Sequence, residues 1–134
     1  MGGSALKLLL DTHIWIWTQL STDKLSARVR RALENQANEV WLSPVSIWEL
    51  VLLVEKRRVA LDREVREWAT SAASMLKEAP LTSEIVLETA RFSLPHDDPA
   101  DRLLVATARS LGLTLVTSDA RLLASKTVPV LPNL

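Results

Sequence analysis

The 134-residue chain contains no cysteine, which removes disulfide frameworks and thiolate metal sites from consideration and suits a reducing cytoplasm. Its two histidines, His13 and His96, are too few for a zinc site. No apolar run approaches the roughly 20 residues that a membrane helix needs. The N-terminus lacks a basic stretch followed by an apolar core, so no signal peptide is expected. Leu6 occupies the position where N-myristoylation needs Ser or Thr. Net charge is absent as well: 16 basic and 16 acidic side chains cancel. That balance argues against binding nucleic acid through bulk charge, as a basic arm does, and leaves room for locally clustered charges. The chain has no internal repeat, low-complexity segment or long linker. Residues 1–5, opening Met1-Gly2-Gly3-Ser4, read as a flexible leader and 6–134 as a single domain.

What is present is core-forming material, with 48% apolar residues. Leu6 to Leu10 reads as a buried parallel strand. Thr12 is placed to cap a helix carrying Ile14, Trp15, Ile16 and Trp17, broken by Ser21-Thr22-Asp23. Ser26 caps a second helix through Leu33, closed by the polar turn Asn35 to Asn38. Val40-Trp41-Leu42 is a second strand, and Ser43-Pro44 starts a helix from Val45 to Glu55, with Lys56-Arg57-Arg58 in its last turn. Asp62 caps another amphipathic helix through Leu76. Glu78 to Leu81 reads as a short edge strand. Thr82 caps a helix through Phe92, Asp98-Pro99 opens the next, and Gly112 ends it. Leu113 to Thr117 is a strand, Ser118-Asp119 starts a short helix over Arg121 to Ala124, and Thr127 to Leu131 is a last strand confined to an edge by Pro129. Strands alternating with helices predict a parallel-dominated, doubly wound α/β sheet of about five short strands with helices on both faces.

Four acids stand out. Asp11 ends the first strand. Glu49 is an acid on an otherwise apolar helix face, one turn after Ser46. Asp101 lies at the mouth of a buried helix in His96-Asp97-Asp98-Pro99-Ala100-Asp101-Arg102, where Asp98 reads as the helix cap. Asp119 follows the strand ending in Thr117. Each has a plain structural reading as a turn, cap or partly exposed residue. In a parallel α/β sheet, however, strand carboxyl ends and helix starts share one edge. Carboxylates gathered there repel by more than about 1 kcal/mol per close pair. A hard divalent cation relieves that repulsion, and all-oxygen ligands select Mg²⁺ or Mn²⁺. Such ions support in-line hydrolysis of phosphodiesters.

The segments Leu-Leu-Leu-Asp-Thr-His at 8–13, Ser-x-x-Glu at 46–49, Asp-Pro-Ala-Asp-Arg-Leu-Leu-Val-Ala-Thr-Ala at 98–108 and Leu-Val-Thr-Ser-Asp at 115–119 resemble the PIN domain, and more narrowly the VapC-type toxins of bacterial toxin–antitoxin pairs. The resemblance covers essentially the whole chain, with Asp-Pro-x-Asp-Arg its most specific part. It implies a Mg²⁺- or Mn²⁺-dependent endoribonuclease, cytoplasmic and homodimeric, neutralised by a cognate antitoxin. The family's catalytic and metal-binding quartet falls on Asp11, Glu49, Asp101 and Asp119, with Asp11 and Asp101 holding the primary ion. Thr12, Ser46, Thr117 and Asp98 match accessory positions. Arg102, Lys56 and Arg57, with Arg58 beside them, are the expected RNA-backbone contacts. His13 departs from the asparagine or serine common at its position. Trp15, Trp17 and Trp48 read as core or dimer interface, or as a face for an antitoxin helix; stacking on RNA is the less favoured reading. The main rival is a non-catalytic binding module that keeps its acids as caps. An aspartyl-phosphate protein is disfavoured because no aspartate stands two residues after Asp11.

Overall fold

A computed structural model describes residues 5–134; the expected leader residues Met1 to Ser4 lie outside that range. Five strands form one wholly parallel sheet in the order β3-β2-β1-β4-β5. They are β1 (Lys7–Leu10), β2 (Glu39–Leu42), β3 (Lys77–Glu78), β4 (Thr114–Thr117) and β5 (Val130–Pro132). Strand β1 is central because its Leu8, Leu9 and Leu10 can be buried on both faces. Leu8 and Leu10 join one core with Ile14, Trp15, Val29, Leu50 and Trp68, while Leu9 joins the other with Leu104, Val105, Leu113, Leu115 and Leu122. The helices supplying these cores are α1 (Thr12–Leu20), α2 (Ala27–Glu34), α3 (Pro44–Glu55), α4 (Val65–Ala73), α5 (Ser83–Glu88), α6 (Pro99–Leu111) and α7 (Ala120–Ser125).

The chain moves outward from β1 to β2 and β3, then returns to pair β4 on the other side of β1. That reversal makes the carboxyl ends of β1 and β4 the crevice where open α/β sheets bind ligands. Thr117 ends β4, and the Asp11 N–H donates to Val116 O at 2.9 Å, so the two strand ends are held side by side.

Cap chemistry accounts for most element starts. Ser26, Ser43, Thr82, Asp98 and Asp119 each accept a backbone N–H with a side-chain oxygen, as the sequence predicts. Gly112 ends α6 at φ 68°, a left-handed conformation that costs glycine no Cβ clash. Several boundaries differ. Asp11, not Thr12, caps α1, because its extended backbone turns its carboxylate onto the Thr12 N–H and draws Thr12 inside the helix. Glu64 caps α4 in place of Asp62, which instead forms a solvent-exposed pair with Arg63. Lys56 is the C-cap of α3 and Arg57 follows it at φ 56°, so the basic run lies beyond the last turn. The edge strand β3 lies at 77–78 rather than 78–81. Ala79 N–H still donates to Leu42 O at 2.9 Å, but Pro80 has no N–H to continue the ladder. Helix α5 stops at Glu88 and a 3₁₀ turn over Thr89–Arg91 replaces its last turn. Strand β5 starts only at Val130, since Pro129 joins the sheet through its carbonyl alone.

A Cβ built on Gly112 meets nothing within 4 Å, so Gly112→Ala carries only the backbone cost of a left-handed alanine. Urea melts are expected to show a loss of about 1 kcal/mol with an unchanged m-value. A larger loss would mean that the turn is packed.

Candidate active site

Every element that starts or ends at the β1–β4 crevice delivers an acid to it. Asp11 follows β1; its Oδ1 accepts the Thr12 N–H at 2.8 Å and its Oδ2 accepts the Thr117 hydroxyl at 2.6 Å. Thr117 Oγ1 also accepts the Asp119 N–H at 3.0 Å, so one buried hydroxyl ties the end of β1 to the start of α7. Because Thr12 lies inside α1, its side chain is free of capping duty. Its buried hydroxyl bonds both Ser46 Oγ, at 2.9 Å, and the Glu49 carboxylate. Ser46 and Glu49 are one turn apart on α3, as their spacing predicts, and Glu49 has no ion pair with Lys56 or Arg57.

The remaining acids enter through helix caps. Asp98 Oδ1 accepts the N–H groups of Ala100 and Asp101 at 3.0 and 3.2 Å. This fixes the first turn of α6 and aims Asp101 inward, leaving it 6% exposed. Asp101 Oδ2 is 2.8 Å from His96 Nε2. Asp119 caps α7 and pairs with its neighbour two residues on, its Oδ2 accepting from Arg121 at 2.9 Å. Asp11, Glu49, Asp98, Asp101 and Asp119 therefore line one pocket of about 410 Å³, rimmed by His13, Trp17 and Arg121. That volume admits an ion together with a phosphate group, lying within the range of small-ligand sites.

The electrostatics follow from burial and crowding. Burial pushes the Asp11 carboxyl up, against the opposing pull of the Thr117 and Thr12 hydrogen bonds. Glu49 is pushed up by burial and by the charges of Asp11 and Asp98. Asp101 is raised to about 7, chiefly by burial, with Asp11, Asp98 and Asp119 adding repulsion and His96 opposing it. Asp119 alone is lowered, because the Arg121 guanidinium holds its charge. Asp11, Glu49 and Asp101 are thus three raised acids gathered at one pocket.

One ligand atom each from His96, Asp101 and Asp119 lie within 4.8 Å of one another. Asp11 and Glu49 complete the pocket beyond that cluster. This oxygen-rich set with at most one imidazole fits Mg²⁺ or Mn²⁺ and lacks the sulfur or multiple nitrogens of a zinc site.

The quartet and the accessory Thr12, Ser46, Asp98 and Thr117 come together as their positions predict. The expected substrate cations do not. Arg102 donates to Thr89 O at 2.7 Å, and Arg102, Lys56 and Arg57 are all absent from the pocket lining. Trp15 is wholly buried, with its indole N–H on Ala72 O at 3.2 Å, and offers no face to a partner, whereas Trp48 is 54% exposed. Sequence reasoning missed His96 and Arg121. His96 opens the polar cluster that the sequence singles out, and its place just ahead of the Asp98-Pro99 cap brings its ring to the Asp101 carboxylate. Arg121 had a signal in its position two residues after a capping aspartate.

The sequence profile of the PIN domain matches residues 8–126. A ribonuclease of Mycobacterium tuberculosis, VapC22, is 34% identical over 118 residues, covering 86% of this chain and 88% of its own. A tRNA(fMet)-specific endonuclease, VapC of Shigella flexneri, is 31% identical over 121 residues, covering 87% and 89%. Among solved structures, VapBC2 of Rickettsia felis bound to a promoter DNA fragment superposes with a TM-score of 0.74 at 15% identity, over 95% of this chain and 98% of that one, a likeness of fold.

A carboxyl raised on folding favours the protonated native state. Its stabilising effect is complete below the ordinary value of 3.8 and is lost as pH rises through about 7. Asp119, being lowered, works in the opposite direction only in stronger acid. Thermal melts in EDTA are expected to show the protein losing stability between pH 5 and pH 8, with millimolar Mn²⁺ restoring it at the upper end. A metal-free melting temperature that is flat or rises over this range would contradict the charge crowding.

Proposed function

The chain belongs to the PIN-domain family, and from that premise we propose that it is an endoribonuclease toxin, dependent on Mg²⁺ or Mn²⁺ and neutralised by a cognate antitoxin. The observation that carries the proposal is the convergence of Asp11, Glu49, Asp101 and Asp119 on one pocket at the sheet's topological switch. The named ribonuclease and endonuclease relatives support RNA as substrate. Toxin–antitoxin complexes with this fold support the partner. Cytoplasmic location and a homodimer belong to the same proposal. No helix among the described residues is long and apolar enough to cross a membrane, and exposed Trp48, Met75 and Leu87 leave apolar surface for protein contacts.

Asp11 and Asp101 are the residues that would hold the primary ion, with Glu49 and Asp119 completing its surroundings. When bound, the ion supplies charge neutralisation at the phosphate and activation of a water. The chain's own contribution is placement. The Thr12 N–H and the Thr117 hydroxyl hold the two Asp11 oxygens, and the Thr12 hydroxyl, itself bonded to Ser46, holds Glu49, so both carboxylates sit in fixed orientation at the pocket. Glu49, raised by burial, is suited to accept a proton from the attacking water. Asp119 keeps its charge at neutral pH through Arg121, and that guanidinium at the rim offers a cation to a non-bridging phosphate oxygen.

Asp11→Asn retains the cap and the shape while removing the charge. It is expected to abolish cleavage of total cellular RNA in Mn²⁺, to at least a hundredfold below wild type, and to relieve growth arrest with the melting temperature little changed. Wild-type cleavage is expected to vanish in EDTA. Undiminished cleavage by Asp11→Asn in a nuclease-free preparation would overturn the assignment, and a folded wild type that leaves RNA intact in Mn²⁺ would favour a binding module.

A further inference from the structure

A second groove opens from the acid pocket and carries the opposite charge. It runs between the end of α1 and the loop after α3, and is lined by His13, Trp17, Lys24, Leu53 and Arg58 among others, with no carboxylate in its lining. His13 and Trp17 belong to both cavities and form the wall between them. Trp17 is half-buried and lines the groove. The Lys24 amine lies 5.5 Å from the Trp17 ring centroid, and the His13 ring is tilted at 53° with a centroid distance of 5.9 Å.

We propose that this groove is a subsite for the RNA nucleotide next to the scissile phosphate, its base against Trp17 and its phosphate against Lys24 and Arg58. The inference rests on the endoribonuclease reading of the acid pocket. Arg121 is the cation in the lining of the acid pocket, while Arg102, Lys56 and Arg57 lie outside it. A polyanion entering past five carboxylates gains from further cations nearby, and Lys24 and Arg58, the latter among the expected contacts, line the adjoining groove one aromatic ring away. A tryptophan flanked by cations is the combination that single-stranded nucleic acid recognises: stacking accepts any base, and the flanking charges take the backbone. The groove, at about 450 Å³, is of the size that holds a small ligand. An extended RNA then crosses the wall at Trp17, with one phosphate over the acids and its neighbour over the basic pair.

The test uses full-length protein carrying Asp11→Asn, so that RNA is bound but not cut, and a fluorescein-labelled single-stranded RNA of mixed sequence followed by anisotropy in millimolar Mg²⁺. Adding Trp17→Ala is expected to raise Kd roughly 5- to 150-fold with an unchanged salt slope, the effect of losing one stacked base. Trp17→Phe, which keeps an aromatic face, recovers much of that loss. Arg58→Gln is expected to lower the slope of log K against log salt by about 0.7, one phosphate contact on a single strand. In the cleaving protein, Trp17→Ala is expected to raise KM by a larger factor than it lowers kcat. If Trp17→Ala does not fold, Trp17→Phe and Arg58→Gln carry the test alone. A Kd and salt slope untouched by these changes would overturn the subsite while wild-type cleavage left the nuclease reading intact. Absence of wild-type cleavage in Mn²⁺ would remove both.

Discussion

The cost of burying carboxylates at one edge of the sheet, increased by their mutual repulsion, is the constraint on which the site depends. A parallel sheet brings its strand ends and helix starts to one edge, where this chain places Asp11, Asp98, Asp101 and Asp119, with Glu49 joining them from the second turn of α3. The fold tolerates the crowding by giving every acid a different partner: Thr117 for Asp11, Thr12 for Glu49, His96 for Asp101 and Arg121 for Asp119. Those partners differ in kind, and so does their effect. Burial raises Asp11 and Glu49 although the Thr117 and Thr12 hydroxyls pull the other way. The Arg121 guanidinium lowers Asp119. Acids that differ in their readiness to ionise thus share one pocket.

Much of the fold was legible because its signals are local. Ser43-Pro44, Asp98-Pro99 and Gly112 act through atoms within a few residues, and each does in the structure what its chemistry requires. The unbroken apolar run of β1 likewise announces burial on both faces. The errors lie where two local solutions compete. Asp11 and Thr12 are both able caps, and so are Asp62 and Glu64; backbone geometry set by the wider fold decides between them. The edge strands are mistaken for a related reason. Their apolar pattern says where a strand would run, while Pro80 and Pro129 determine how much of it finds hydrogen bonds.

The site shows the same division. Its acids were found from position along the chain, since strand ends and helix starts can be read in order. Of the expected cations, Arg102, Lys56 and Arg57 lie outside the pocket lining, because what matters for them is which side of the molecule a long side chain reaches. Arg102 follows Asp101 directly and yet turns away to the Thr89 carbonyl, while Arg58, beyond the end of a helix, returns to border the groove at Trp17. Trp15 is interior, as its core reading requires, whereas Trp17, two residues on, is half-buried and lines the pocket.

The prolines at the margins of the sheet also bear on how copies of this protein can meet. On one side β3 is two residues long, carries Lys77 and Glu78, and is stopped by Pro80; on the other β5 is bracketed by Pro129 and Pro132. Neither border offers a continuous row of free backbone donors and acceptors, so strand addition is closed as a mode of association. A partner, a second copy included, finds side chains rather than an open row of backbone groups at these two borders, so the sheet that carries the acid edge has little to extend from there.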